Sequence, residues 1–418
     1  MSKKPTTKDQ KVKVKTSKVS WLVFLATLIV VLISLTTILF PSLVVRSTSQ
    51  FRDIVINPYE TGVWTYPVLV ANFILLSIGI LYFKNKLPQQ ITKAIQFIFS
   101  FEVSRKLAFI VFVILLTIYI GFTVGELASE EIWEDYTSSG VTFEGVRDRV
   151  SNWSINHIKD SPSEPHLRYM LLSFSLHTLG NIRIIPFIVS IALLITTYFV
   201  TKEISQKRFA GLVAVAFVLQ SSVFLIYDTS ATYDNVWILL YLVSLYTIFK
   251  KWPLSLISYI LSIPAKALTV LFLPMTFFFI YRTKDSRQKK IRLAISYGVI
   301  IAIVIVALSI ANTSSSSGFD ANDFWRGFTA LAFQLRFDAV VLIFILPLIV
   351  GLFIASRKGI IQADSILILI MGVLLSAPIL QGFTDLTNQP YRFVPLVVFF
   401  AMGIGTILSK KPNENATN

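Results

Sequence analysis

Polar and apolar residues in this chain alternate in long blocks, not at the short periods of a soluble domain. Twelve apolar blocks predict membrane helices at 21–40, 66–83, 107–125, 184–201, 209–227, 235–249, 253–264, 266–281, 291–311, 338–356, 364–381 and 393–409. Most could carry a helix through about 30 Å of hydrocarbon. Residues 253–281 need an argument, because they form one apolar stretch of 29 residues with basic flanks, Lys250 and Lys251 before and Arg282 to Arg292 after. A single crossing would put one basic cluster outside. A hairpin broken at Pro264-Ala265-Lys266 puts both on the same side. The weaker apolar stretch 167–179 is only 13 residues long, too short to span, and predicts a helix lying in the outer interface. The block at 21–40 exceeds a signal-peptide core and no small-residue cleavage site follows it, so it reads as a retained anchor.

Composition supports this reading. Of 418 residues, 54% are hydrophobic and 15% charged, and the mean hydropathy is +0.70. That leaves too little polar surface for a soluble chain and excludes a soluble enzyme, a secreted disulfide scaffold or a disordered tail. There is no cysteine, so thiolate catalysis and Cys-ligated zinc are excluded, and three histidines leave little room for a His-rich metal site. With the N-terminus placed in the cytoplasm, the inside segments hold 27 of the 38 Lys and Arg residues and 6 of the 23 acids. The inner face is then +21 and the outer face −6, matching the positive-inside rule. The net charge of +15 is therefore a topology signal and gives no reason to expect nucleic acid. Both termini are expected in the cytoplasm. The tail 1–20, with seven lysines, is expected to be disordered beside anionic headgroups.

Chemistry-bearing residues concentrate on the outer side. The segment from Gly125 to Tyr136 carries five acids; as a helix it would align Glu126, Glu130 and Glu134 on one stripe, with Glu131 and Asp135 beside them. Such crowding suits a cation, a bound proton or acid–base work, although a solvated acidic loop that sets topology would look the same. The next outer loop brings Asp228 and Asp234 to that face. Asp234 stands at a helix mouth, where N-capping is the alternative. Lys266 and Arg392 are cations near membrane depth, where a lysine needs a partner or an interfacial position. A lipid phosphate would suit either, and snorkelling is the alternative.

In order and sidedness these residues resemble the polytopic GT-C glycosyltransferases, in particular protein O-mannosyltransferases and lipid A aminoarabinose transferases. In those families a membrane helix leads into an outer loop with an acidic pair, here Glu130-Glu131. A His-Pro-Pro-Leu-like sequence before an interfacial helix is represented by Glu164-Pro-His-Leu167, so His166 becomes a candidate for acceptor contacts. Gly180-Asn-Ile-Arg-Ile-Ile-Pro186, Asp234, Lys266 in Pro264-Ala-Lys-Ala-Leu-Thr269 and Tyr391-Arg392-Phe393 match later family features. Departures are Glu130 in place of Asp, a scrambled His-Pro-Pro pattern and no Arg ahead of the second-loop acid.

The resemblance implies an all-α, polytopic membrane protein with about twelve spans. Its parts would be a basic tail (1–20), two extra helices (21–104), a GT-C-like domain (105–409) with a first outer loop at 126–183, and a short tail (410–418). It implies inverting transfer of a sugar from a polyprenyl-phosphate donor to a hydroxyl acceptor, in the cell membrane of a prokaryote in preference to the ER. Glu130 would be the base with Glu131 as support or substitute, and Asp234 and His166 would position acceptor or metal. Lys266 and Arg392 would bind donor phosphate. No cofactor is certain, and a divalent cation remains open. Two other classes fit the pattern: a secondary transporter, since twelve spans with both ends inside suit it, and a catalytically silent membrane subunit.

Overall fold

The computed structural model describes residues 18–43, 57, 59–129, 131, 143–160, 165–310, 318–383 and 390–409. They are helical, with no strand among them, as expected for chains whose backbone polar groups must be satisfied in hydrocarbon. Seven helices among the described residues are long and apolar enough to cross a membrane. These are α1 (Lys18–Leu39), α2 (Thr65–Phe83), α4 (Arg105–Thr123), α7 (Ile184–Ser205), α15 (Ala339–Arg357), α16 (Gln362–Gln381) and α17 (Val394–Ile407), α4 and α17 being extended by 3₁₀ turns. Apolar but shorter are α8 (Arg208–Leu219), α10 (Val236–Lys250), α11 (Trp252–Ala265) and the segment Ala267–Arg282, which ends in α12 (Leu273–Arg282). The helix α13 (Arg287–Ile310) completes the apolar set.

The expected break at Lys266 is present. α11 stops at Ala265, Lys266 is extended, and a 3₁₀ turn at Ala267–Phe272 leads into α12. Thr269 returns to the residues it has just left: its hydroxyl donates to the Ser262 carbonyl (3.1 Å), and the Tyr259 hydroxyl donates to the Thr269 carbonyl (3.0 Å). A straight helix would hold positions seven apart about 10 Å from each other, so the chain reverses here. Lys266 lies at one end of the bundle and Arg282 at the other. There Arg282 pairs with Asp364 at the start of α16, and Ser20 at the start of α1 donates to Asp364 (2.7 Å).

Three expectations meet a different geometry. The block 209–227 is not one helix but α8 and α9 (Ser222–Tyr227), broken where the Ser221 hydroxyl caps α9 and donates to Asp338. The outer segment 312–337 contains an amphipathic helix, α14 (Ala321–Phe333), whose first N–H groups are capped by Asp320; its polar start concealed it among loop residues. The serine run 314–317 lies outside the described residues. The first helix, read as an addition, packs against α14, α15 and α16, whereas α2 lies outside against α15.

The segments at the Lys266 end form a cap. α5 (Phe143–Ser151) and α6 (His166–Leu179), the latter as expected from sequence, build a small apolar cluster of Val146, Val150, Tyr169, Leu172, Ile182 and Ala231. Ala231 comes from the loop before α10, so the cap closes over that loop. α6 ends at Gly180, whose φ of +77° is the left-handed turn a glycine adopts without cost. The turn delivers Arg183 to the mouth of α7.

Close helix crossings use glycine. A Cβ on Gly405 of α17 would lie 2.8 Å from the Ala210 carbonyl oxygen of α8, and one on Gly211 of α8 would lie 2.9 Å from the Tyr198 carbonyl oxygen of α7. Backbone cannot yield as a side chain can. Gly405→Ala and Gly211→Ala should each destabilise the protein by about 1–3 kcal/mol, read as a lowered thermal midpoint in detergent. Gly121→Ala on α4, where a Cβ meets nothing within 4 Å, should be neutral or mildly stabilising. Equal effects at all three would refute this packing.

Candidate functional site

Of the acids and cations singled out in the sequence, Glu126, Glu131, Asp228, Asp234, Lys266 and Arg392 meet at one end of the bundle, joined by two arginines. Arg183 is buried; its Nη1 donates to the Ser129 carbonyl (2.8 Å) and the Glu126 carbonyl, and its Nε donates to the Thr229 carbonyl (3.2 Å). Its guanidinium also lies 3.9 Å from the carboxylates of Glu126 and Glu131. One side chain thus holds the end of α4 to the loop between α9 and α10. Asn181 assists, its amide donating to the Leu127 carbonyl (2.6 Å).

Glu131 is 1% exposed at its side chain. It accepts from the Ser230 hydroxyl (3.1 Å), the Thr232 N–H (3.2 Å) and the Ala231 N–H. With these lone pairs engaged, it is built to anchor the segment after α4 on the loop before α10. Glu130, the expected base, lies outside the described residues, as do Glu134 and Asp135. Asp234 accepts from the Val236 N–H (3.1 Å) one residue ahead of the α10 N-cap, Asn235, and also pairs with Arg168 of α6 at 2.6 Å. Arg168 further donates to the Ala231 carbonyl (2.8 Å). His166 begins α6 and is buried.

The other expected cations stand beside this acidic half. Lys266 is half-buried and donates to the Tyr391 hydroxyl (2.9 Å), with its ammonium 4.2 Å from that ring's centroid. No described carboxylate pairs with it. Tyr391 stacks on Tyr233 from the 228–235 loop, 4.3 Å between centroids and 19° between planes. Arg392, buried in the 3₁₀ turn Pro390–Phe393, lies 5.9 Å from the Tyr391 ring. Arg168 and Arg392 are both near enough to repel the Lys266 charge. The site therefore has an arginine–carboxylate half and a lysine–tyrosine half, joined by the Tyr233 stack and by Arg168.

Sequence reasoning missed Arg168 and Tyr233, and quoted Tyr391 only as a neighbour of Arg392 without giving it a role. Arg168 had a signal, as the one arginine in the stretch 167–179; the pairing of the two tyrosines had none, since it is tertiary. Among the described residues no group of three or more His, Asp or Glu is arranged to hold a metal ion. No protein-family profile, curated protein or solved structure matches this chain.

Asp228, in the same loop, is 1% exposed. Burial pushes its carboxyl up to about 7, opposed by the Tyr119 hydroxyl and raised further by the Glu126 charge. Its carboxylate accepts from the Thr123 hydroxyl at 3.4 Å.

Two outcomes follow. Arg183→Met should cost about 3–5 kcal/mol, because it leaves the buried Glu131 carboxylate without its cation, measured by chemical denaturation in detergent; a loss under about 1 kcal/mol, the scale of an exposed pair, would contradict the assigned role. The folded protein holds on Asp228 a proton that the unfolded chain releases near pH ~4. Stability from the neutral form is therefore full below about pH 4 and is lost as pH rises toward 7. The thermal midpoint of the natural protein should fall relative to Asp228→Asn across that window and run parallel above it. A constant difference from pH 4 to 8 would mean that Asp228 is charged throughout.

Proposed function

We propose that this chain is an inverting membrane glycosyltransferase of the GT-C type. It would have about twelve crossings, both termini in the cytoplasm and the site on the extracytoplasmic face of a prokaryotic cell membrane. The observation that carries this reading is the separation of charge at one bundle end. Glu126, Glu131 and Asp234 are engaged by Arg183 and Arg168, while Lys266 has no carboxylate partner among the described residues and meets the Tyr391 hydroxyl and ring. A lysine held that way, with Arg392 nearby, suits an incoming anion such as a lipid-linked phosphate.

In this reading the acceptor hydroxyl oxygen attacks the anomeric carbon of a polyprenyl-phosphate sugar. The carbon–oxygen bond to phosphate breaks, and its electron pair leaves with the polyprenyl phosphate. Lys266 and Arg392 stabilise the charge that grows on that phosphate. Glu130 takes the hydroxyl proton, while Glu131 fixes the backbone beside it. Asp234, held by Arg168, positions the acceptor or a divalent cation, and His166 contacts the acceptor. A transporter would place its broken helix near the midplane; the break at Lys266 lies at the bundle end.

Glu130→Gln should lower transfer to a hydroxyl acceptor by about 10²–10⁴-fold with donor binding unchanged, assayed with a panel of polyprenyl-phosphate hexoses. Lys266→Met should weaken donor binding by about 10–100-fold. If Glu131→Gln abolishes transfer while Glu130→Gln does not, the base is the neighbour. If neither affects any sugar transfer, the glycosyltransferase reading is wrong.

A further inference from the structure

At the bundle end opposite the site, a groove of about 1400 Å³ opens beside α2 and α3 (Gln89–Ser100). Helical spacing makes its walls. Leu75, Ile78, Gly79 and Tyr82 form one stripe of α2, and Gly351, Ile354, Ala355 and Lys358 form the matching stripe of α15. Gly79 leaves open space on the α2 side, while Gly351 admits the Ile407 side chain against α15. α3 is amphipathic and contributes no buried residue, the character of a helix in the membrane interface. The Lys207 ammonium ties it to the bundle by donating to the Phe99 carbonyl.

The groove's polar residues are unequally charged. Lys93, Lys202, Lys207, Arg208 and Lys358 stand against Glu102 and Glu203. Both carboxylates are already engaged: Glu203 pairs with Lys250 at 2.7 Å, and Glu102 accepts from the Arg208 N–H at 3.1 Å. The groove therefore combines apolar stripes from α2 and α15 with an excess of cations among its polar residues.

We infer that this groove is a binding site for an anionic phospholipid of the leaflet around that end. The acyl chains would lie along the stripes of α2 and α15, and the phosphate would be taken by Lys93 and Lys202. The excess of positive charge selects a lipid with net negative charge over a zwitterionic one, and the apolar walls select a lipid over free phosphate. This assignment is independent of the proposed transfer reaction.

The test is native mass spectrometry of the full chain in detergent, titrated with dioleoylphosphatidylglycerol or dioleoylphosphatidylcholine. The anionic lipid should bind at least about tenfold more tightly. The double variant Lys93→Ala/Lys202→Ala should lose about thirty-fold in affinity for it with phosphatidylcholine unaffected. Both lysines are at least partly exposed, so the fold does not depend on them. A Cβ on Gly79 meets nothing within 4 Å, so Gly79→Phe places a ring in open space at the groove wall and should weaken both lipids. Equal binding of the two lipids, binding unchanged in both variants, or displacement of the anionic lipid by millimolar inorganic phosphate would each overturn the inference.

Discussion

Arg183 is the side chain on which the geometry of the site end depends. Three carbonyl oxygens from two separate stretches of chain converge on its guanidinium, and two carboxylates flank it. A buried arginine without such partners would be expensive, and the partners without the arginine would leave carbonyls and carboxylates unmatched at the membrane boundary. Neither side has an alternative, so the loop after α4 and the loop before α10 are held in one register. Everything else at that end follows from it. Glu131 can reach the N–H groups of Ala231 and Thr232, Ala231 can enter the small core of the cap, and Tyr233 is turned toward Tyr391.

The two ends of the bundle solve the problem of buried charge differently. At one end Arg282 and Asp364 form a pair supported by Ser20 and Ser356, a closed knot where α1, α12, α15 and α16 meet. At the other end Arg183 and Arg168 are matched by carboxylates, but Lys266 rests on a phenol hydroxyl and an aromatic face. A cation over an aromatic ring and a phenol carries no carboxylate that an incoming anion would have to displace. The first arrangement fixes helices; the second leaves a positive charge available.

How much of this could be read in the sequence depended on the range of the interaction. The helical membrane class, the reversal at Lys266 and the short helix α6 follow from local apolar block length and the placement of proline and basic residues. The grouping of Asp234, Lys266 and Arg392 at one end was legible from sidedness alone. The pairing of Arg168 with Asp234 was not, because 66 positions separate them and only the folded cap makes them neighbours. Nor was the anchoring role of Glu131, since a carboxylate holding loop N–H groups and one accepting a proton look alike as letters. α14 escaped because its polar first turn and the serines before it share loop composition. The break in 209–227 escaped because Ser221 is unremarkable until Asp338 reaches it.

The brevity of α11 bears on the shape of the bilayer itself. Its 14 residues rise only about 21 Å, yet Leu254, Ile257, Ile260 and Leu261 are exposed on its outer surface. A hydrocarbon layer of about 30 Å cannot match a belt of that height, and a helix too short to span cannot compensate by tilting. The leaflet has to dip toward the helix end, which is where Lys266 sits. The protein would thus thin the hydrocarbon beside its cation through hydrophobic mismatch, so that the Lys266 ammonium reaches polar surroundings without a long side-chain detour.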